Sequence, residues 1–335
     1  MQLRGKEAAA SARPPQRSLR QAGATVIKPS PHPPNRARTL SIVKGAPVNL
    51  RASDSTAVRR PLRFGVIADV QYAAAPTTMN RHYAKSLDKL AGAAAFFNAQ
   101  DDLDFIAILG DSIDHGWENY DAVLAAYGRF AAPKVFVLGN HDFAVEPARI
   151  AEVPSRFGLE RPYYDLSMEG YRFIVVDGTE VSTFATLPNT PARTAAEAQL
   201  AAMAARGEPN AQSWNGGLSD AQYAWLEAAL DAAQEAGEKV VVFGHFPIHP
   251  FSNHALWQAG RLTDLLAGHP AVVAYLCGHD HAGNYAEREG VHFVNFKGMV
   301  DTGTQAPHAL VELHGDRIEI AGYGGETSRL LPLRP

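Results

Sequence analysis

The sequence predicts an α/β protein, a four-layer α/β/β/α sandwich of two packed mixed sheets. Two observations carry this. Short apolar runs alternate along the chain with Ala- and Leu-rich stretches of helical spacing, the pattern of strands joined by crossover helices. The runs also fall into two groups, each flanked by helices of its own. With 335 residues and 46% hydrophobic content, the chain can bury a sizeable core.

Taken in order, "RFGVIAD" from Arg63 is the first strand and Tyr83–Asn98 the first helix. "LDFIAILGD" is the second strand, Tyr120–Ala131 the second helix and "KVFVLGNHD" the third strand. "YYDLSMEGYRFIVVDG" reads as a hairpin turning near Glu169-Gly170, with its second strand at Arg172–Val176. Val181–Gly216 holds a helix around Ala195–Ala205 but is longer than a connection needs, which makes it a candidate substrate-side loop. "LSDAQYAWLEAALDAAQEAG" has Ser219 as N-cap, an apolar stripe and a Gly237 stop, the signals of a well-defined helix. "KVVVFGH", "VVAYLCGHDH", "VHFVNFKG" and "HALVELHGDRIEIAGY" follow as strands, with no internal repeat.

Residues 1–60 differ in texture. They carry twelve Lys/Arg against Glu7 and Asp54, about +10, while the whole chain is at -4, which leaves about -14 for the remainder. This Pro- and Arg-rich leader cannot bury enough apolar surface to offset its ordering entropy, so it is expected to be disordered, with residues 61–335 as the folded domain. It is read as a solvated tail rather than a nucleic-acid or membrane-binding arm, and it has no continuous apolar segment of signal-peptide type. No apolar run reaches the roughly 18 residues that span a membrane. The single cysteine, Cys277, lies inside a strand pattern and suits a reducing compartment. A monomer in the cytoplasm is the expectation.

Singly, each polar strand tip has an ordinary explanation. Asp69 could cap a turn, Asn140 could hold a left-handed corner and His245 could be a loop histidine. As a set they are different. Five strand ends deliver Asp69/Gln71, Asp111, Asn140-His141-Asp142, His245 and His279-Asp280-His281, and all but the first follow a glycine directly. Packing requires no such series, whereas a shared ligand cluster does. From about Phe64 to Gly298 the series resembles the metallophosphoesterase (calcineurin-like) superfamily, whose order is Asp-x-His, Gly-Asp, Gly-Asn-His-Asp/Glu, Gly-His and Gly-His-x-His. The resemblance implies a two-metal site at the C-terminal edge of the strands. Asp69, Gln71 and His281 would hold one ion, Asn140, His245 and His279 the other, and Asp111 would bridge them. It also makes His141 the general acid, with Asp142 orienting its ring. Two divalent ions ~3.5–4 Å apart clamp the oxygens of an in-line displacement at phosphorus and activate a water. They would also reverse the sign of an acidic domain toward an anionic substrate.

Gln71 departs from the common histidine. An amide oxygen is a harder ligand than imidazole and tilts the site from Fe or Zn toward Mn²⁺ or Mg²⁺. Asp-x-Gln-Tyr resembles a narrower branch, the Mn²⁺-dependent ADP-ribose/CDP-alcohol diphosphatases, as do "RHYAKSL", "NGGLSDAQYAWL", "GHFPIHP" and "VNFKGMVDT". The branch implies hydrolysis of a pyrophosphate linkage in a small nucleotide substrate. Arg81 and His82 are then candidates for a phosphate contact. Tyr72, Tyr83, Trp117, Phe143 and Trp214 are candidates for base stacking or, each by itself, for core packing. Two other readings stand beside this one: a broader phosphodiesterase or phosphomonoesterase of the same fold, and a metal-free interaction scaffold.

Overall fold

The chain enters its first sheet at β1 (Leu62–Ile67), and each strand that follows is placed by which of its faces is apolar. The computed structural model describes residues 60–334. The expectation of a disordered leader therefore lies outside the described residues, except for Arg60, whose guanidinium forms two bonds to the Asp104 carboxylate.

After β1 come α1 (Ser86–Asn98), β2 (Phe105–Leu109), α2 (Asn119–Tyr127) and β3 (Lys134–Val137), giving three parallel strands with crossover helices. The short α3 (Val153–Arg156) leads to the hairpin β4 (Tyr164–Met168) and β5 (Tyr171–Val175). Then come α4 (Pro191–Ala205), α5 (Asp220–Glu235), β6 (Lys239–Phe243), α6 (Ala259–Gly268) and β7 (Val272–Cys277). β8 (Asn284–Arg288), β9 (Val291–Asn295), β10 (His308–Leu313), β11 (Arg317–Tyr323) and β12 (Arg329–Pro332) complete the described residues. Two mixed six-stranded sheets result, in the orders β12-β11-β10-β1-β2-β3 and β4-β5-β6-β7-β9-β8.

The central strands read as unbroken apolar runs because both of their faces are covered. In β2, Phe105, Ala107 and Leu109 point into the layer between the sheets, while Ile106 and Ile108 face α1 and α2. Between the sheets four phenylalanines interlock. Phe64 stacks on Phe105 at 4.8 Å and Phe173 on Phe243 at 5.8 Å, and the two pairs meet edge to face. All four are at most 1% exposed, and truncating one to alanine would cost ~3–5 kcal/mol. On the far side of the second sheet, Leu226 and Leu230 of α5 and Leu262 and Leu266 of α6 cover Ile174, Val240 and Val242.

Some boundaries differ from the sequence expectation. α2 stops at Tyr127 instead of Ala131, where Gly128 closes it. α4 starts at Pro191 because the Thr190 side chain caps the Arg193 N–H and proline suits the first helical turn. The edge strands β8 and β12 and helix α6 are additional to that expectation; β8 is mostly exposed and has no apolar alternation to mark it. Among the described residues, no helix is long and apolar enough to cross a membrane.

Candidate metal centre

The loops after β1, β2 and β3 bring Asp69, Gln71, Asp111 and Asn140 to the same edge at which the loops after β6 and β7 bring His245, His279 and His281. Four of these seven residues hold left-handed backbone: Asp69 (φ 50°), Gln71 (φ 41°), Asp111 (φ 53°) and His279 (φ 71°). Each such residue costs ~1–3 kcal/mol and persists only where its surroundings over-determine it. Here they do. The Gln71 N–H donates to the Asp111 carbonyl at 2.7 Å, the Asp69 carboxylate accepts the His279 N–H at 3.0 and 3.1 Å, and Asp111 Oδ1 accepts the His141 N–H at 2.8 Å. The preceding glycines make room for this. A Cβ on Gly139 would lie 2.2 Å from Asp111 Oδ1, and one on Gly278 2.5 Å from Asp69 Oδ2. Asn140, by contrast, has ordinary right-handed backbone.

Each histidine in the cluster has one ring nitrogen held from behind. His245 Nδ1 donates to the Leu109 carbonyl at 2.7 Å, His281 Nδ1 to Asp301 Oδ1 at 2.7 Å, and His279 Nε2 to Asn215 Oδ1 at 2.9 Å. An acceptor on one nitrogen leaves the lone pair on the other. His245 Nε2 thereby comes to 3.3 Å from both Asp111 Oδ2 and Asn140 Oδ1. His281 Nε2 lies 3.6 Å from Asp69 Oδ1. Asp111, His245 and His279 each offer a donor atom, all within 4.8 Å of one another. The Gln71 Nε2 sits 3.1 Å from Asp111 Oδ2 and 3.3 Å from His281 Nε2, while its Oε1 is buried without a partner. A half-turn of the terminal amide exchanges these two atoms of similar size and aims the orphaned oxygen at the same donors. The set of imidazole, carboxylate and amide groups fits divalent cations.

The electrostatics point the same way. Burial alone would raise the Asp111 carboxyl, yet the charges of His245 and His141 hold it well below the carboxylate range. Burial pulls the His245 imidazole down, but the Asp111 charge and hydrogen bond bring it up to about 9. His281 is likewise opposed by burial and raised to about 10 by Asp301 and Asp69. Burial and the charge on His245 push His279 well down. A pocket of buried carboxylates demands positive charge, and cations supply it without protons.

A cleft of about 270 Å³ opens over the cluster, lined by Gln71, Arg81, Asp111, Asn140, His141, Trp214, His254, His279 and His281. Asp142 does not orient the His141 ring, as the sequence led us to expect. Its buried carboxylate accepts the N–H groups of Asp111 (3.1 Å), Ser112 (2.9 Å) and Gly139 (2.9 Å), which ties the loops after β2 and β3 together. The residue behind the ring is Asp114: His141 Nδ1 donates to its carbonyl at 2.9 Å and lies 3.3 Å from its carboxylate. Arg81 lines the cleft, with its guanidinium 3.8 Å from Asp114 Oδ1. His82 and Tyr72 do not line it. The His82 ring is 3.4 Å from Thr77 Oγ1, and Tyr72 packs against the core beneath. Among the aromatic candidates Trp214 alone lines the cleft. Tyr83 and Phe143 are buried, and the Trp117 ring packs against the guanidinium groups of Arg149 and Arg156. Sequence reasoning gave no role to Asn215, Asp301 or His254, although the first two stand inside the quoted "NGGLSDAQYAWL" and "VNFKGMVDT".

The fold and this donor set define a metal-dependent hydrolase of phosphate esters or anhydrides. The model of the calcineurin-like phosphoesterase family matches residues 62–283, and the chain belongs to that family. It is 28% identical over 313 residues to the manganese-dependent ADP-ribose/CDP-alcohol diphosphatase of Mus musculus, covering 80% of this chain and 92% of the mouse protein. Against the protein of the same name from Arabidopsis thaliana it is 28% identical over 302 residues, covering 80% of this chain and 96% of that one. Among solved structures, a dimetal phosphatase from Danio rerio superposes with a TM-score of 0.75 at 24% identity, over 82% of this chain and 100% of the other.

Proposed function

We propose that this protein is a manganese-dependent diphosphatase that cleaves the pyrophosphate bond between a nucleoside monophosphate and a second sugar or alcohol phosphate. The observation that carries the reading is the cluster of donors whose rear nitrogens are all locked, with an orphaned amide oxygen at Gln71 in place of a fourth imidazole. The names of the mouse and Arabidopsis relatives support the metal and the substrate class. Asp69, Gln71 and His281 would hold one ion, Asn140, His245 and His279 the second, and Asp111 would serve both. When bound, the two cations neutralise the phosphate and activate a water.

The chain's own groups do the rest. His141, held at Nδ1 by Asp114, has no protein partner for Nε2 among the described residues and delivers a proton to the leaving oxygen. Arg81 offers its fork to the phosphate that carries no metal. Trp214, 43% exposed at the cleft, presents an indole face to the base. The test is hydrolysis of ADP-ribose, CDP-choline, cyclic AMP and p-nitrophenyl phosphate by the metal-free protein reconstituted with Mn²⁺. The first two should be turned over with the highest kcat/KM. Preference for cyclic AMP or the nitrophenyl ester would replace this reading with a broader phosphodiesterase or phosphomonoesterase. No turnover together with no bound manganese would leave a scaffold.

A further inference from the structure

Lys89 lies in α1, on the face that packs into the domain, and is only 6% exposed. Burying an ammonium is costly unless hydrogen bonds compensate it. Burial pushes the Lys89 amine down to about 8, against the opposing pull of the Asp301 charge. Its Nζ donates to the main-chain carbonyls of Met299 and, at 2.8 Å, of Thr302. These two carbonyls stand on either side of Asp301, at the ends of the turn formed by Met299–Asp301. The same turn is fixed to the end of β1, where the Met299 N–H donates to the Ala68 carbonyl and the Val300 N–H to the Asp69 carbonyl, each at 3.0 Å. On its inner side Asp301 Oδ1 accepts from His281 Nδ1 at 2.7 Å.

A chain of direct contacts thus runs from α1 to one half of the cluster. The ammonium clamps the two carbonyls, the clamped turn presents the Asp301 carboxylate, and the carboxylate sets the tautomer and direction of His281. We infer that Lys89 is a positioning residue for the first of the two cation sites, acting through the 299–302 turn and Asp301 on His281. Among the described residues nothing comparable links it to His245 or Asn140, whose supports are the Leu109 carbonyl and the loop after β3. The inference rests on the two-cation reading above but not on the identity of the substrate.

The test is a calorimetric titration of the full-length metal-free protein with MnCl₂, which resolves the two binding steps without any nucleotide. Groups that hold a ligand histidine from behind typically control 10–100-fold of metal affinity. Lys89→Met keeps the length and apolar stem of the side chain and removes its donors. It should weaken one binding step by ~10–100-fold and leave the other at its wild-type value. Asp301→Asn should weaken the same step, and the double variant should lose little more than the more severe single one, as expected for two members of one chain. Equal losses at both steps, or wild-type values at both, in Lys89→Met would overturn the inference. So would an Asp301→Asn protein that keeps both affinities, since the inference runs through that carboxylate, and this outcome can be read even if Lys89→Met does not fold. A wild-type protein that binds no manganese overturns the two-cation reading itself, whereas two intact steps in every variant overturn the role of Lys89 alone.

Discussion

Replacing Asp114 by asparagine separates two things that the carboxylate and the main chain do for His141. The ring nitrogen Nδ1 bonds the Asp114 carbonyl at 2.9 Å, a contact that belongs to the backbone and survives the substitution. The carboxylate, 3.3 Å from the same nitrogen, supplies charge and is lost. Asp114→Asn should therefore keep the orientation of the imidazole while withdrawing the negative charge beside it. Two unit charges at this distance attract by about 1.3 kcal/mol in a water-like dielectric and about 5 kcal/mol at an effective constant of ~20. The two side chains are 24% and 11% exposed, so the effective value falls between these limits. The Arg81 guanidinium at 3.8 Å already offsets part of the Asp114 charge. A loss of about 1.4–2.7 kcal/mol remains, equivalent to ~10–10²-fold in kcat. The assay is kcat at saturating Mn²⁺ for a nucleotide diphosphate-alcohol and for a p-nitrophenyl ester, with metal content measured in parallel. The first should fall and the second change little, because nitrophenolate leaves without a proton, and both ions should stay. A loss of equal size for both substrates, or loss of an ion, would refute the assignment of Asp114 to proton delivery.

Other substitutions probe the rest of the centre. Asp111→Asn should cost about 10³-fold or more in kcat and lower the occupancy of both ions, since on the proposed assignment one carboxylate serves both; activity within tenfold of wild type would show that it is not shared. Gln71→His should keep both ions but shift preference from Mn²⁺ toward Zn²⁺ and Co²⁺, a tenfold change in relative affinity being about 1.4 kcal/mol; reconstitution with each metal and kcat/KM measurement would check it, and an unchanged ranking would place Gln71 outside the coordination shell. Burial raises the Asp177 carboxyl to about 6. A raised acid favours the protonated fold, so its contribution is complete below pH ~4 and is lost as pH rises toward ~6, about 2–3 kcal/mol in all. Asp177→Asn keeps an acceptor for the Thr179 donors and should remove that loss, so that its stability relative to wild type rises between pH 4 and 7 in urea titrations of the chelated protein.

Much of this was legible in the chain because of where the candidate ligands stand. Asp69 and Asp111 come two residues after a strand that must be apolar on both faces, so the polar residue is conspicuous. His245 and His279 likewise follow β6 and β7 at once. The supports of these ligands were not legible. Asn215 reaches His279 across 64 positions, and the Lys89 bonds to the 299–302 turn span more than 200. Proximity along the chain misled in one case. Asp142 adjoins His141, but the short helical turn formed by His141–Phe143 carries its carboxylate inward to three N–H groups, and Asp114 from the loop after β2 takes the place behind the ring. The β8 edge gave no signal because a strand with mostly exposed side chains has no pattern to read.

The division of the donors between the two sheets has a mechanical consequence. Asp69, Gln71, Asp111 and Asn140 belong to one sheet and His245, His279 and His281 to the other, and on the proposed assignment each ion takes donors from both. A cation held there is a stitch across a seam. Below it the phenylalanine layer joins the sheets by contacts that can slip a little at a time, whereas coordination bonds at the rim break or hold. Parting the sheets at this edge therefore means releasing an ion, which adds about 2.7 kcal/mol of resistance when free metal is a hundred times its dissociation constant. Strand ends that lie far apart in the chain are thereby made to open or stay shut together.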